Sequence, residues 1–371
     1  MQTSRVLVAA FAFANFLPWG CDAQQPSRAP ARPRITFAEV LRREDANNDQ
    51  QVTKEEFQAA DRLFQRLDTD RDGVLTRKDF AAAGQRRRKD FAPDDVTVLR
   101  DVVFGQGGGR DLTMHVVLPK KRSETPLPAY VWIHGGGWKG GNKEGGIGKV
   151  IPLVREGFVG ATIEYRLSGE ATFPAQIEDC KCAIRFLRAH ANEYQIDGDF
   201  IAVGGSSAGG HLAALVGTSG GVAELEGTGG WPDQSSTVQA VVDLYGPTDF
   251  VQFVTTPGYE SHAKLDSPES RLIGGDVLQS PAKTKQANPI TYIDPEDPPF
   301  LILHGSDDRT VPPNQSESLD KALQAAGVKH RLKILDGAGH GGAQFGQSDI
   351  LDMQTQFLLQ SLRAHQTKAR P

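Results

Sequence analysis

Residues 200–216 have the sequence FIAVGGSSAGGHLAALV. An apolar run typical of a buried strand, Phe200–Gly204, leads into a turn of glycine and serine and then into a helix-like run, His211–Val216. This strand-turn-helix order is what a G-x-S-x-G turn needs to expose a serine hydroxyl at the end of a sheet. Ser207 is therefore the candidate nucleophile. A second G-x-S-x-G match, around Ser219, follows a helix, so Ser219 is interpreted as a turn residue.

A glycine run follows another strand-like segment. Residues 134–138 read HGGGW, directly after the apolar run Ala129–Ile133. Glycines at this place let bare backbone N–H groups approach a substrate oxygen and stabilise the negative charge that develops on it. A phosphate-binding loop is the alternative, but no Lys-Ser/Thr pair and no G-x-G-x-x-G pattern with a matching acid follows. Trp138 is interpreted either as a packing residue or as a surface on which a sugar or an aromatic acid stacks.

Two further loops after strand-like runs carry an acid and a base. Residues 304–312 read HGSDDRTVP, and residues 338–342 read GAGHG. A serine hydroxyl becomes a good nucleophile when a histidine takes its proton and an acid orients that histidine. His340 is the candidate base. Asp307 and Asp308 both remain candidates for the acid, with a turn or helix-capping role as the alternative for either. The chain order serine, aspartate, histidine is that of α/β-hydrolases.

Strand-like and helix-like segments alternate through this part of the chain. Runs rich in Val, Ile and Phe, separated by helices, indicate a mostly parallel sheet that is covered on both faces. The sequence therefore predicts an α/β fold with a sheet of about eight strands, and an insertion at about 249–289 that could form a small cap. The predicted strands are Val96–Phe104, Leu112–Leu118, Ala129–His134, Val159–Tyr165, Phe200–Gly204, Val238–Tyr245, Phe300–His304 and Arg331–Leu335.

These motifs carry a resemblance to a known family. Residues 95–365 resemble the α/β-hydrolase esterases related to hormone-sensitive lipase and to bifunctional feruloyl/acetyl-xylan esterases, through HGGGW, GGSSAGGHLAAL, HGSDDRTVP and GAGHG. The resemblance implies the α/β-hydrolase fold, and it places the acid at Asp308 rather than Asp307. The implied triad is Ser207, Asp308 and His340, and the implied oxyanion donors are Gly135, Gly136 and Ala208.

The function that the resemblance implies is hydrolysis of carboxylic esters through an acyl-enzyme. The expected substrate is a small ester or an acylated polysaccharide with short acyl groups of acetyl or feruloyl type. No cofactor is expected for catalysis. A serine peptidase or amidase is one alternative, because the same triad cleaves amides. A calcium-dependent binding module with an inert hydrolase domain is the other.

Two acidic loops precede this domain, within residues 35–85. The first loop, residues 45–56, reads DANNDQQVTKEE, and the second loop, residues 68–79, reads DTDRDGVLTRKD. Oxygen atoms recur at the spacing that wraps six to eight ligands around Ca²⁺. Both loops resemble the EF-hand family, so a structural calcium site is predicted. The candidate ligands are Asp45, Asn47, Asp49, Gln51 (through its carbonyl) and Glu56 in the first loop, and Asp68, Asp70, Asp72, Val74 and Asp79 in the second.

Each acidic loop departs from the EF-hand pattern. Gln50 occupies a position where glycine is expected, so a left-handed backbone there costs about 1–2 kcal/mol. Asp79 replaces a longer glutamate. The loops begin 23 residues apart, which leaves room for one helix, from about Lys54 to Leu67, and this argues against side-by-side pairing of the two loops. A polar helix-turn-helix with acidic turns is the alternative interpretation.

The first residues have the pattern of a targeting segment. One basic residue precedes the 12-residue run Val6–Leu17, and the small residue Ala23 follows it. This pattern indicates a signal peptide at 1–23 and export, as a secreted or periplasmic protein. The run is too short for a membrane span, which needs about 20 residues. A buried first helix is the alternative, and lipid attachment at Cys21 is a weaker one. Residues 24–34 are interpreted as a flexible linker.

Composition limits the classes of partner. The 371 residues carry a formal net charge of −5, and 39% of them are hydrophobic, which is enough for a sizeable core. Binding to nucleic acid or to anionic membranes requires clustered positive charge. The small acidic excess therefore argues against both.

Overall fold

The structure is a computed structural model that describes residues 37–47, 49–57, 61–68, 72–77, 79, 93–121 and 123–369. The chain divides into two compact units, one ending at Lys89 and the other beginning at Asp90. The predicted signal peptide, the predicted linker and the candidate ligand Asp70 lie outside the described residues.

In the first unit, the two acidic loops pair through a short antiparallel sheet. Its elements are α1 (Phe37–Glu44), β1 (Val52–Thr53), α2 (Asp61–Leu67) and β2 (Val74–Leu75). Val52 lies opposite Leu75, and Thr53 lies opposite Val74. The expectation that the loops do not lie side by side is therefore wrong.

The pairing needs no second intervening helix, because each strand lies inside its own loop. Helix α2 begins at Asp61, later than the predicted start near Lys54. Side chains from both strands and both helices share one small core, in which the rings of Phe57 and Phe64 meet edge to face at 5.3 Å. Burial of this apolar surface stabilises the paired loops. The buried members of the core are Val40, Val52, Phe57, Phe64 and Leu75.

The second unit is built on an eight-stranded sheet, and the predicted architecture is confirmed. Its strands lie in the order β3-β4-β6-β5-β7-β8-β9-β10, numbered along the chain. Strand β4 pairs antiparallel with both β3 and β6, and all the other pairings in the sheet are parallel. The strands are β3 (Val96–Gly107), β4 (Arg110–Pro119), β5 (Leu127–Ile133), β6 (Val159–Ile163), β7 (Ile196–Ser206), β8 (Ala240–Leu244), β9 (Phe300–Gly305) and β10 (His330–Leu335).

Helices cover both faces of this sheet. Along β5 the side chains of Val131 and Ile133 pack on one face, and those of Tyr130 and Trp132 pack on the other, as the two-residue period of a strand requires. Helices α4, α6 and α10 bury residues against the first face, and α3 and α11 against the second. The helices are α3 (Ile147–Arg155), α4 (Ala175–Ala189), α5 (Ala191–Tyr194), α6 (Ala208–Thr218), α7 (Phe250–Thr255), α8 (Pro268–Ile273), α9 (Pro281–Ala287), α10 (Asn314–Ala326) and α11 (Ser348–Ala369).

The four sequence motifs follow the carboxyl ends of β5, β7, β9 and β10. These strands are parallel, so their carboxyl ends meet at the same end of the sheet, where ligands bind in open α/β sheets. The predicted insertion at 249–289 folds as the short helices α7, α8 and α9 with a 3₁₀ turn, Glu260–Ala263.

Helix α11 has 22 residues but carries charged and polar side chains along its length. Among the described residues, none of the helices is both long and apolar enough to cross a membrane.

Candidate active site

Ser207 lies on a strained turn between β7 and α6. Its φ of 55° and ψ of −124° are rare for a residue with a side chain, and such a conformation costs about 1–3 kcal/mol. The flanking glycines leave room for it. A Cβ atom on Gly205 would lie 2.1 Å from the carbonyl oxygen of Gly209, and one on Gly209 would lie 2.2 Å from that of Ile133. The Ser207 N–H donates to Leu244 O at 2.8 Å, which fixes the turn.

The three residues predicted as a triad are connected by hydrogen bonds. Ser207 Oγ lies 2.8 Å from His340 Nε2, and His340 Nδ1 lies 2.6 Å from Asp308 Oδ2. The edge of the His340 ring also packs on Tyr245, with 4.7 Å between ring centres. With the proton on Nδ1, Nε2 can accept the serine proton. This arrangement allows the imidazole to act as a general base.

Asp308 is held in a buried, donor-rich place, whereas Asp307 is exposed and accepts a hydrogen bond from Ser306. The Oδ1 atom of Asp308 accepts backbone N–H groups from Thr310 at 2.8 Å and Val311 at 2.9 Å. The structure therefore brings Asp308, and not Asp307, to the histidine.

Burial by itself raises the pKa of the Asp308 carboxyl, but hydrogen bonds from His304, His340 and the Val311 N–H outweigh it. They hold the pKa well below its ordinary value. The carboxylate is therefore ionised throughout the neutral range, as a group that orients an imidazole must be.

Two contacts to Asp308 were not found by sequence reasoning. His304 is fully buried, with Nε2 3.3 Å from Asp308 Oδ2 and Nδ1 2.7 Å from the Ser316 hydroxyl. The sequence signal that could have indicated His304 is its position as the first residue of the HGSDD motif. Tyr259, from the insertion, donates its hydroxyl to the backbone carbonyl of Asp308. Nothing in the local sequence indicated this second contact, because the two residues are 49 positions apart.

The predicted oxyanion loop lies directly against the serine turn. A Cβ atom on Gly135 would lie 2.6 Å from Ser206 O and 3.3 Å from Ser207 Cβ. Gly136 has a φ of +123°, and a Cβ atom there would lie 2.2 Å from Gly140 O, so this loop needs glycine.

The N–H groups of the three predicted donors are available. Among the described residues, those of Gly135, Gly136 and Ala208 donate to no other protein group. His134 orders the loop, because its ring stacks on Tyr165 with 4.4 Å between ring centres and its Nδ1 lies 2.8 Å from Gly135 O. Such ordered donors can stabilise an oxyanion.

These groups line one cavity of about 420 Å³. Two of its walls are the oxyanion loop and the serine turn, and His340 lies beside them. A third wall comes from the insertion, which contributes His262, Pro268 and Glu269. Sequence reasoning named none of these three as site residues. The remaining lining residues are Gly137, Trp138, Lys139, Ser206, Tyr245, Pro247, Thr310 and Val311.

Comparison with known proteins identifies the family. The BD-FAE family matches residues 114–323. The chain belongs to this family. The matched region includes the oxyanion loop, Ser207 and Asp308.

Named relatives of this BD-FAE protein are esterases. The esterase LipC of Mycobacterium tuberculosis is 34% identical over 219 residues, which cover 58% of this chain and 53% of LipC. A probable isoprenylcysteine α-carbonyl methylesterase of Arabidopsis thaliana is 28% identical over 246 residues, covering 66% of this chain and 51% of that protein. The chain thus spans about half the length of these curated relatives.

Solved structures of esterases share the fold of the second unit. A truncated carbohydrate esterase from gut microbiota superposes with a TM-score of 0.66 at 33% identity, covering 73% of this chain and 98% of that chain. A propionate-bound esterase of Thermogutta terrifontis gives a TM-score of 0.59 at 26% identity, covering 72% and 94%. The second unit therefore has the α/β-hydrolase fold.

In this BD-FAE domain, the side chains of Trp138 and Ser219 are both buried in contacts with other parts of the protein. Trp138 is only 1% exposed, its Nε1 donates to His211 Nδ1 at 3.2 Å, and its ring packs on Phe250. These contacts favour the packing role over stacking on a substrate. Ser219, interpreted from the sequence as a turn residue, is fully buried directly after the end of α6 and donates to Leu215 O.

A cluster of Asp101, His115 and Glu144 resembles a metal site by proximity alone. His115 Nδ1 accepts the Asp101 N–H at 3.1 Å, so its Nε2 carries a proton and lies 2.8 Å from Glu144. Lys143 contacts Asp101 at 3.1 Å and Arg100 contacts Glu144 at 3.0 Å. With no imidazole lone pair available and both carboxylates balanced by cations, this cluster is an ionic network.

In the first unit, both acidic loops are folded around their leading aspartates. Asp45 Oδ2 accepts the Gln50 N–H at 3.1 Å, and Asp68 Oδ2 accepts the Gly73 N–H at 3.0 Å. The other oxygen of each carboxylate is buried and has no hydrogen-bond partner among the described residues. Gln50 has the strained left-handed φ that was predicted, 65°. Buried carboxylate oxygens without donors are costly unless a cation binds them.

The remaining candidate ligands shape the same two loops. Asp49 and Asp72 accept the N–H groups of Gln51 and Val74, whose carbonyls were predicted as ligands, and Asn47 accepts the N–H of Asp49. The last acid of each loop turns back onto a threonine: Glu56 accepts from Thr53, and Asp79 accepts from Thr76.

Proposed function

We propose that this protein is a serine carboxylesterase. The observation that carries the proposal is the pair of hydrogen bonds that connects Ser207 Oγ to His340 at 2.8 Å and His340 to Asp308 at 2.6 Å. Support also comes from the esterase names of its relatives. No metal is needed for this chemistry, because a triad with an oxyanion site completes acyl transfer alone.

In the proposed reaction, Ser207 Oγ attacks the ester carbonyl and its proton passes to His340 Nε2. The carbonyl oxygen becomes an oxyanion that accepts hydrogen bonds from the N–H groups of Gly135, Gly136 and Ala208. The alcohol leaves with the proton from His340, and the acyl group stays on Ser207. Water then attacks the acyl-enzyme with His340 again as base, the carboxylic acid leaves, and Ser207 Oγ regains its proton from His340. Asp308 holds the imidazole in the required tautomer throughout.

The proposed substrates are esters of short acids, of acetyl or feruloyl type, on a polysaccharide. The carbohydrate esterase among the structural neighbours supports this choice. A cavity of about 420 Å³ lies near the small end of ligand sites. Acetate esters are therefore expected to be cleaved with higher kcat/KM than decanoate esters, measured on matched p-nitrophenyl substrates. A preference for decanoate would contradict the proposal.

The test of the catalytic assignment compares Ser207→Ala with Ser219→Ala. Loss of a triad nucleophile lowers kcat by about 10⁶-fold, whereas Ser219→Ala should retain wild-type turnover of p-nitrophenyl acetate. An organophosphate such as paraoxon should label Ser207 alone, as read by peptide mass spectrometry. Turnover of the amide p-nitroacetanilide at a comparable rate would favour the amidase alternative. Labelling at another serine would overturn the assignment.

We also propose that the two acidic loops bind Ca²⁺ as a structural ion. Support comes from the oxygens of Asp45 and Asp68 that have no partner in the described part of the chain, together with the oxygens of the other candidate ligands. The second loop should bind more tightly, because Gly73 takes a φ of +83° at little cost while Gln50 is strained. Dissociation constants of about 10⁻⁴–10⁻³ M are expected, as in extracellular modules.

Calorimetric titration of Ca²⁺ into the full chain tests this second proposal. Asp68→Asn should abolish the tighter binding event and Asp45→Asn the weaker one, while Asp276→Asn, at a half-buried position in the second unit, should leave both unchanged. No heat of binding at millimolar Ca²⁺ would contradict the proposal. Esterase activity should survive EDTA, because the ion lies outside the proposed reaction.

Export remains a proposal that rests on the leader-like pattern of residues 1–23. Expression of the full chain in a Gram-negative host, followed by N-terminal sequencing of the periplasmic protein, should show cleavage after Ala23. An intact N-terminus on protein found in the cytoplasm would contradict it.

A further inference from the structure

The insertion places a buried carboxylate in the wall of the active-site cavity. Glu269 belongs to α8 and is 3% exposed. Its Oε2 atom lies 2.9 Å from Nδ1 of His262, on the neighbouring 3₁₀ turn, and both residues line the cavity that contains Ser207. The triad and the oxyanion groups do not use either side chain.

This pair is held rigidly beside the reacting atoms. The His262 ring lies on the Phe253 ring with 4.5 Å between ring centres, while Glu269 fixes its Nδ1. Pro268 lies against the oxyanion loop, since a Cβ atom on Gly137 would come within 3.2 Å of Pro268 Cβ. The insertion wall and the oxyanion loop thus touch, which places the pair beside the loop.

Each member of the pair keeps one polar atom unused. Among the described residues, neither Glu269 Oε1 nor His262 Nε2 makes a hydrogen bond to the protein. A carboxylate that is almost fully buried costs free energy unless its oxygens find donors. A ligand in the cavity can supply these donors.

We propose that Glu269 and His262 bind hydroxyl groups on the alcohol part of the substrate, and so select esters of sugars. This inference rests on the proposed esterase function. A sugar with free hydroxyls next to the esterified one offers O–H donors to Oε1 and a further donor or acceptor to Nε2. An ester without such hydroxyls supplies no donor to Oε1, and a site built to bind a substrate hydroxyl discriminates strongly against analogues that lack it.

The charges of the cavity favour a neutral polyol over a cation. Lys139 also lines the cavity, and among the described residues it forms no ion pair. The formal charges of Lys139 and Glu269 cancel, so the cavity lining offers no net negative charge to a cationic alcohol such as choline. A neutral ligand with several hydroxyls matches both groups.

The test measures selectivity with three acetate esters: methyl β-D-xyloside monoacetate, p-nitrophenyl acetate and acetylcholine. Glu269→Gln keeps the size of the side chain and removes its charge. It should lower the ratio of kcat/KM for the xyloside ester to kcat/KM for p-nitrophenyl acetate by about 10–100-fold, the value of hydrogen bonds to a charged group. His262→Asn, which keeps a donor near the Nδ1 position and lacks Nε2, should lower the same ratio by a smaller factor.

The matched control is Glu260→Gln, an exposed glutamate on the same 3₁₀ turn that accepts from the Gly258 N–H and does not line the cavity. Its ratio should equal that of the wild type. An unchanged ratio in both Glu269→Gln and His262→Asn would overturn the inference, as would a larger loss on acetylcholine than on the xyloside ester. These failures differ from failure of the esterase proposal, in which the wild type cleaves none of the three esters or Ser207→Ala retains full activity.

Discussion

Asparagine in place of Asp308 would keep the shape of the side chain and change which of its atoms accept hydrogen bonds. Oδ1 accepts two backbone N–H groups, from Thr310 at 2.8 Å and Val311 at 2.9 Å. The amide of Asp308→Asn must therefore keep its oxygen in that position, because its NH₂ group would face two donors there. The NH₂ group is then directed at His340 Nδ1, where Oδ2 lies 2.6 Å away in the native protein.

This exchange reverses the tautomer of the histidine. Facing a donor, His340 Nδ1 must accept, so the ring proton moves to Nε2, and Nε2 can no longer take the proton of Ser207. The expected loss in kcat is about 10⁴-fold, or on the order of 5 kcal/mol in transition-state stabilisation. KM should change little, since the Asp308 side chain is fully buried and does not line the cavity.

The assay compares Asp308→Asn with Asp307→Asn on p-nitrophenyl acetate, with thermal unfolding of both as a check on the fold. Asp307 is exposed and contacts the Ser306 hydroxyl at 3.1 Å, so its substitution should cost less than about threefold. Equal losses in the two variants would refute the tautomer argument. A dominant loss at Asp307 would show that the wrong carboxylate had been placed on the histidine.

Three further perturbations follow from buried groups. Burial raises the pKa of Asp243 to about 6 from an ordinary 3.8, so the wild-type fold loses stability as the pH rises from about 4 to about 6. The free energy of unfolding of Asp243→Asn should therefore gain on the order of 2–3 kcal/mol relative to that of the wild type between pH 4 and pH 8, as measured by urea titrations. A difference that stays constant with pH would contradict this. Glu226→Ala removes the carboxylate 2.8 Å from the fully buried Lys181, so it should lower the free energy of unfolding by about 3–5 kcal/mol; a loss below about 1 kcal/mol would show that the pair is not needed. Gly209→Ala would force a Cβ atom to within 2.2 Å of Ile133 O, so esterase activity should fall at least about 10²-fold, and near-normal activity would show that the turn can shift.

The chemistry of the candidate site could be predicted because each of its parts is a short local pattern. The serine turn, the glycine loop and the histidine loop each combine a strand end with glycine, and the sheet then brings the loops together. The choice of Asp308 over Asp307, by contrast, could not be made from a local pattern. Their local patterns are equivalent, so the resemblance to a family was needed; in the structure, burial and two backbone donors distinguish Asp308.

The parts that sequence reasoning missed depend on contacts between distant segments. Tyr259 reaches Asp308 across 49 positions, and the insertion residues His262 and Glu269 enter the cavity without any motif of their own. The expectation that the acidic loops do not pair was wrong for another reason. Strands β1 and β2 have two residues each, which is too short for the alternation by which strands are recognised.

The site thus combines glycine loops whose sequence is tightly restricted with an insertion wall whose side chains are less restricted. Added side chains at Gly205, Gly209 or Gly136 would collide with backbone oxygens, so the loops that hold the reacting groups tolerate few substitutions. His262 and Glu269 lie outside these glycine contacts, so we expect substitutions there to alter substrate selectivity more than the acyl-transfer chemistry. One contact limits this freedom: the Tyr259 hydroxyl binds the carbonyl of Asp308. Because Tyr259 precedes His262 by only three positions, a substitution that shifts the 3₁₀ turn also moves the acid, and selectivity can be redesigned only where that hydrogen bond is kept.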